Sequence, residues 1–235
     1  YGNAGLLSFG HGMFFGFGAY VAALTVNHMA GLPIYGVILF SIIATTLVGL
    51  SVGSLLLRHT GSSFALLTLA FNALFWSIAF KWHSVTGGDD GLSITRPELG
   101  FGITRFSMSD INPFYFFTLF VIGAVILFCY YFSTTAMGKT VLLMRENEER
   151  MKFLGYNTNI ARLILFTFTA ALAGCAGAFY ALNFEFTSTT AIHMEMTTVV
   201  LLMVFIGGSK TFWGPILGTA VYVYLQTYLS EVTDR

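Results

Sequence analysis

Charge is what this chain has least of. Its 235 residues carry eleven Lys or Arg and eleven Asp or Glu, 9% in all. A soluble domain runs near 25% charged, because its folded surface must be solvated by water. A soluble globular reading is therefore excluded, and lipid must cover most of the surface. The formal net charge is zero, so there is no bulk electrostatic pull toward nucleic acid or an acidic partner. Cysteine is nearly absent. Cys129 and Cys175 both sit inside apolar runs, read as small buried hydrophobes and say nothing about redox compartment. The chain starts at Tyr1, and no basic segment leads into a cleavable apolar stretch, so no signal peptide is expected. The expectation is a fragment lacking its N-terminus.

Apolar residues make up 56% of the chain, with 25 Phe, 11 Tyr and 3 Trp. Phe suits lipid-facing positions, whereas Tyr and Trp favour the interfacial belts. A helix needs about 20 apolar residues to cross the hydrocarbon core. Runs of that kind cover 11–29, from Pro33 to before Arg58, 62–82, 113–133 and 160–184. A shorter run, 196–206, calls for a helix over roughly 193–206 or a broken one, and Pro215 opens a last helix to about Leu229. The predicted fold is all-α, a polytopic transmembrane helical bundle of about seven membrane segments, one of them short or broken.

Two stretches interrupt this pattern. Residues 83–112 hold Gly87, Gly88, Asp89, Asp90, Gly91, Arg96, Pro97, Glu98, Arg105 and Asp110 and read as a solvated loop. Residues 134–159 carry Lys139, Arg145, Glu146, Glu148, Glu149, Arg150 and Lys152. Alternation of the spans puts Arg58, Lys139, Arg145, Arg150, Lys152, Arg162 and Lys210 on one side, and Lys81, Arg96, Arg105 and Arg235 on the other. The excess of basic residues assigns 134–159 to the cytoplasm. Within it, Met144–Tyr156 (M-R-E-N-E-E-R-M-K-F-L-G-Y) reads as a short amphipathic helix stopped by Gly155, suited to docking a cytoplasmic partner. Gly-x-x-x-Gly pairs stand at 12/16, 49/53, 87/91 and 214/218; the three inside apolar runs mark close helix contacts.

Chemistry-bearing constellations are few. Ser8 and His11 are neighbours, but no carboxylate is near to orient the histidine and no nucleophile elbow surrounds the serine. The histidines at 11, 28, 59, 83 and 193 lack metal-ligand spacing, so no metal site is expected. Ser133–Thr140 (S-T-T-A-M-G-K-T) shares its tail with the phosphate-binding loop G-x-x-x-x-G-K-[ST]. The first glycine is Ser133 and the segment follows a span rather than a strand, so ATP binding by this chain is not expected. Between residues 5 and 80 the sole Asp, Glu, Lys or Arg is Arg58. A proton-coupled carrier needs an ionisable group within the membrane, which weighs against that class. A passive channel would need a filter-forming polar repeat, and none is evident.

Six blocks of sequence carry a resemblance. They are A-G-L-L-S-F-G-H-G-M-F-F-G-F-G-A-Y (4–20), S-F-A-L-L-T-L-A-F (63–71), T-G-G-D-D-G-L (86–92), M-G-K-T-V-L-L-M-R-E-N-E-E-R-M-K-F-L-G-Y-N (137–157), A-A-L-A-G-C-A-G-A-F-Y-A (170–181) and V-F-I-G-G-S-K-T-F-W-G-P-I-L-G-T (204–219). In this order they resemble the permease subunits of branched-chain amino acid ABC importers, LivM type, over nearly the whole length. The resemblance implies a single transmembrane permease domain, 1–235, with 83–112 as periplasmic loop and 134–159 as cytoplasmic coupling loop. It implies a bacterial inner-membrane subunit that is not itself an enzyme and moves branched-chain or other hydrophobic amino acids by alternating access. ATP with magnesium would be bound by two separate ATPase subunits, alongside a second homologous permease and a periplasmic binding protein. Glu149, Arg150 and Met151 stand where the family's E-A-A triplet would be, with Gly155 at its glycine; only the glutamate and glycine match. Arg145, Glu146, Glu149, Met151, Lys152 and Gly155 are the coupling candidates. Ser8, His11, Thr68, Asn72, Thr86, Gly87 and Gly88 are the candidates for the translocation path. A urea or short-amide permease of the same architecture, and an ion-coupled carrier, are the alternatives.

Overall fold

Backbone N–H and C=O groups cannot go unpaired in hydrocarbon, so apolar runs of this length must close their hydrogen bonds within a helix. The computed structural model of the chain describes residues 5, 7–29, 31–59, 61–101, 104–106, 111–209 and 211–233. Lys210, Asp110 and Arg235, used above for orientation and loop assignment, lie outside the described residues. The helices are α1 (His11–His28), α2 (Ile34–Leu56), α3 (Ser62–Lys81), α4 (His83–Thr86), α5 (Ile111–Thr134), α6 (Ala136–Glu146), α7 (Glu148–Phe153), α8 (Thr158–Phe184), α9 (Met194–Gly207) and α10 (Gly214–Thr233). Each expected span has its helix within a few residues of the expected ends. Among the described residues four of them, α2, α3, α5 from Asn112 and α8, are long and apolar enough to cross a membrane, and α9 is a shorter apolar helix. The molecule is a polytopic helical membrane protein.

α1 is the central helix, enclosed mainly by α8 and α2. Its glycines allow this. A Cβ on Gly18 would stand 2.4 Å from the Gly174 carbonyl oxygen, and one on Gly177 would stand 1.8 Å from that of Phe15. In lipid, where no hydrophobic force drives helices together, such backbone proximity supplies van der Waals contact. The pairs 12/16, 49/53 and 214/218 do face other elements: Gly16 meets Ile192, Gly49 and Gly53 meet Ala170 and Phe166 of α8, and Gly218 meets Met203 and Gly207 of α9. In the pair 87/91, Gly87 meets Gly91 within the turn and Gly91 meets Thr187 and Phe186. α9 and α10 pack chiefly on each other. α5 presents Phe116, Leu119, Phe120 and Leu127 outward, the residue types expected against acyl chains.

The described residues of the stretch 83–112 are more ordered than a solvated loop. Besides α4 they contain the short strands β1 (Leu92–Ser93), β2 (Leu99–Phe101) and β3 (Thr104–Phe106). β1 pairs antiparallel with β4 (Phe186–Thr187), and β2 with β3. Ile94 is buried in the core beside Ile34, Phe114 and Leu182, which anchors the segment. Arg96 completes the anchor. Its Nε donates to the Leu182 carbonyl at 2.9 Å and its Nη2 to that of Asn183 at 2.8 Å, satisfying carbonyls that the end of α8 leaves unpaired. The guanidinium also pairs with Glu185 at 3.3 Å and lies over the Phe114 ring. Ile34 N–H donates to the Glu98 carbonyl, while Arg58 at the other end of α2 borders a cleft with Asn159 and Ile160. The segments 83–101 and 134–159 therefore lie at opposite ends of the bundle, as the alternation requires.

Candidate functional site

Four of the residues nominated for a path come together at the start of α1. Phe9 N–H donates to Thr68 Oγ1 at 3.1 Å, and Gly10 N–H to Ser8 Oγ at 3.3 Å. The His11 ring bridges two helices, with Nδ1 3.2 Å from Ser8 Oγ and Nε2 3.3 Å from Thr169 Oγ1 of α8. Since the Thr169 hydroxyl donates to the Phe166 carbonyl at 2.9 Å, its oxygen must accept from the histidine. The ring is thus protonated on Nε2, and Nδ1 shares a hydrogen bond with the Ser8 hydroxyl. One turn further, Asn72 Nδ2 donates to the Ile192 carbonyl at 3.0 Å, and Gly12 N–H to Thr197 Oγ1 at 2.9 Å. Ser8, Thr68 and Asn72 are buried. Asn72 Oδ1 is buried beside Gly12 without a hydrogen-bond partner. This polar seam joins α1, α3, α8, the 3-10 turn Thr189–Ile192 that follows β4, and the first turn of α9. Thr169, Thr197 and Ile192 belong to it and escaped the sequence reading. Nothing in a threonine's local context distinguishes a seam from lipid-facing back-bonding to its own helix.

Thr86, Gly87 and Gly88 lie apart from the seam, beyond the other end of α3. Asn72 is nine residues from that end, roughly 14 Å at about 1.5 Å per residue. Thr86 Oγ1 donates toward the carbonyls of Ala79 and Trp82 and accepts from Gly88 N–H. Gly87 and Gly88 take φ of 72° and 61°, a conformation glycine adopts without the steric cost other residues incur.

The second candidate region is 134–159, and here the expected helix is divided. Instead of one helix over Met144–Tyr156, α6 ends at Glu146 and α7 begins at Glu148. The cause is Asn147, which is extended (φ −154°, ψ 97°) and whose side chain accepts from Arg150 N–H at 2.9 Å, capping α7. Gly155 does act as the stop. At φ 85° it follows α7, with Gly155 N–H donating to the Lys152 carbonyl and Tyr156 N–H to that of Met151, the paired bonds of a Schellman ending. Met151 is buried against Met144, Ala161 and Met137, so it holds α7 down rather than presenting itself. Glu146 and Glu149 are exposed, and Arg145 is half-buried against Gly5. Outward of them stand Phe153, 90% exposed, Leu154 at 66% and Tyr156 at 52%.

Glu148, not among the sequence candidates, is the hub of this region. Its Oε1 accepts from Lys152 Nζ at 2.9 Å and from Thr158 Oγ1 at 3.3 Å, and its Oε2 from Arg162 Nη2. The Lys152 hydrogen bond holds the Glu148 carboxyl below the usual carboxylate range. Partial burial opposes this, and the Arg162 guanidinium reinforces it. The spacing to Lys152 is the ordinary helical ion pair. The partnership with Thr158 and Arg162 crosses a turn and needed the fold to be seen.

The family described as branched-chain amino acid transport system / permease component matches residues 1–235. The chain is 27% identical over 254 aligned residues to the high-affinity branched-chain amino acid transport system permease protein LivM of Salmonella typhimurium, covering 99% of this chain and 59% of that protein. The same figures hold for the Escherichia coli protein of that name. A probable branched-chain amino acid transport permease protein LivM of Methanocaldococcus jannaschii is 26% identical over 234 residues, 95% of this chain and 66% of that one. The chain thus spans about three fifths of the length of the first two relatives, at 59%. No solved structure matches it.

Proposed function

We propose, from the premise that this chain belongs to the branched-chain amino acid transport permease family, that it is the membrane-spanning subunit of an ATP-driven importer of branched-chain or other hydrophobic amino acids. In this reading residues 1–235 act as one permease domain in a bacterial inner membrane, with 83–112 facing the periplasm and 134–159 the cytoplasm. The chain performs no chemistry. Two partner ATPase subunits bind ATP and magnesium, a second homologous permease completes the pore, and a periplasmic binding protein delivers substrate.

The observation that carries the reading is the face of α7 and its following turn. Phe153, Leu154 and Tyr156 are exposed on a basic segment between two spans, next to Glu149 and Glu146. Exposed aromatic and aliphatic side chains rimmed by charge fit a protein groove better than water. Met151 and Lys152 anchor this face from below, and Gly155 sets its end. Closure of the ATPase pair on ATP would push α7, and the helix bundle would shift between two packings.

The polar seam forms the closed section of the path, and the Thr86–Gly88 turn lies toward its outer end. When the seam parts, Ser8, His11, Thr68 and Asn72 exchange helix partners for substrate, and Asn72 Oδ1 is a ready acceptor for an ammonium group. The test is uptake of labelled leucine into vesicles holding the full-length chain with its permease partner, ATPases and binding protein, in the absence of ion gradients. ATP-dependent uptake blocked by excess valine and not by urea is the expected result. Uptake that ignores ATP and requires a sodium or proton gradient would overturn the proposal.

A further inference from the structure

The helix that would meet a partner ATPase is joined to α8 in three ways. One is the chain itself, through the turn 154–157. That turn is weakly buttressed: Leu154, Gly155, Tyr156 and Asn157 are exposed, and no atom stands within 4 Å of where a Gly155 Cβ would be. The second is Met151 in its small apolar cluster. Methionine is unbranched and conformationally adaptable, so it transmits displacement poorly. The third is directional. Glu148 receives Thr158 from the first turn of α8 and Arg162 from the second, while Lys152 closes the cluster from within α7. Arg162 has a side chain only 12% exposed and Glu148 one at 27%, so water screens this pair less than an open surface pair. Caps at both helix starts, Asn147 on Arg150 N–H and Asn157 on Ile160 N–H, orient the segments that meet there.

α8 is also the helix packed most extensively against α1 and α2. Seven residues beyond Arg162, roughly 10 Å along the helix, Thr169 holds the His11 ring of the seam. A rigid helix therefore runs from the Glu148 cluster to the closed section of the proposed path.

We propose that Glu148, with Arg162 and Thr158, is the positioning joint through which displacement of α7 is delivered to α8 and thence to the seam. It rests on the importer reading above and assigns the step between docking and gate movement to a cluster that does not itself meet the partner. Breaking it leaves the ATPase bound and active while its stroke is dissipated in the 154–157 turn.

The test uses the full-length protein assembled with its ATPases, permease partner and binding protein in proteoliposomes, and reads substrate transported per ATP hydrolysed together with ATPase retained on purification. Glu148→Gln and Arg162→Gln are expected to retain the ATPase and its hydrolysis and to lower transport per ATP about five- to tenfold, the scale of a typical coupling energy between sites. The swap Glu148→Arg with Arg162→Glu is expected to restore most of it, which a merely structural defect would not allow. Unchanged transport per ATP in both single variants, or a loss that the swap leaves uncorrected in properly assembled protein, would overturn the proposal. Phe153→Ala with Leu154→Ala addresses the underlying reading separately. Loss of bound ATPase in that variant supports docking at α7. Full retention and normal transport would sink the docking reading whatever Glu148 does.

Discussion

A methyl group added at position 174 would fall 2.1 Å from Thr45 Oγ1, in the crossing of α8 with α2. Gly174→Ala must therefore push the helices apart or force Thr45 from its rotamer, at about 1–3 kcal/mol. The midpoint of thermal unfolding in detergent is expected to drop, whereas Gly123→Ala, on α5 with nothing within 4 Å of its Cβ position, is expected to leave it in place. Glu148 makes a second prediction at this scale. Its carboxyl is held below the usual range by Lys152 and Arg162, so the folded state favours the ionised form. That stabilisation is complete above the ordinary glutamate range and is lost as pH falls through the depressed folded value. Amide exchange across α7, corrected for intrinsic rate, should quicken as pH drops from neutral into that range, and Glu148→Gln should abolish the dependence. A pH-independent wild-type profile would contradict the cluster.

At the scale of elements, two short devices decide where helices end. Asn147 separates α6 from α7 by offering its side chain to Arg150 N–H. Asn147→Ala removes that cap at a cost of about 0.5–2 kcal/mol, and hydrogen exchange should show α7 amides losing protection while those of α8 are unchanged. Arg96 does the corresponding work at the far end of α8, with two carbonyls and Glu185 as partners. A hydrogen bond to a charged group is worth about 1.5–3 kcal/mol. Arg96→Met should accordingly lower the thermal midpoint and expose the 183–188 backbone to exchange. Neither device was legible in advance. An asparagine inside a run of helix formers and an arginine in a glycine-rich loop each have several possible partners, and only the packed chain selects among them.

For the whole molecule, the opposite placement of the segments 83–101 and 134–159 makes the proposed sidedness testable. With Cys129 and Cys175 replaced by alanine, Asp90→Cys should react with a membrane-impermeant maleimide in intact cells, and Glu149→Cys only after permeabilisation. The reverse pattern would invert the orientation and remove α7 from reach of any cytoplasmic partner. The architecture divides into a tight α1–α2–α8 core and an α9–α10 pair packed mainly on itself. The seam residues Asn72, Gly12 and Thr197 stand between them, where a change of packing would act first.

Composition and hydropathy determined that this chain lives in lipid, how its backbone must pair, and where each span begins and ends to within a few residues. Those properties are local, set by the run length a bilayer demands and by proline and glycine punctuation. Ser8, His11, Thr68 and Asn72 stood out as polar points in the blocks that carry the resemblance, and a polar group within a helical bundle is costly unless another helix receives it. Which helix receives it was decided by the tertiary structure alone. The pairing of His11 with Thr169, of Asn72 with the Ile192 carbonyl and of Glu148 with Arg162 depends on how helices cross. That crossing is fixed by glycine contacts such as Gly18 on Gly174, between residues far apart in the chain. Hydropathy measures transfer of one segment into lipid; it holds no information about which segment lies beside it.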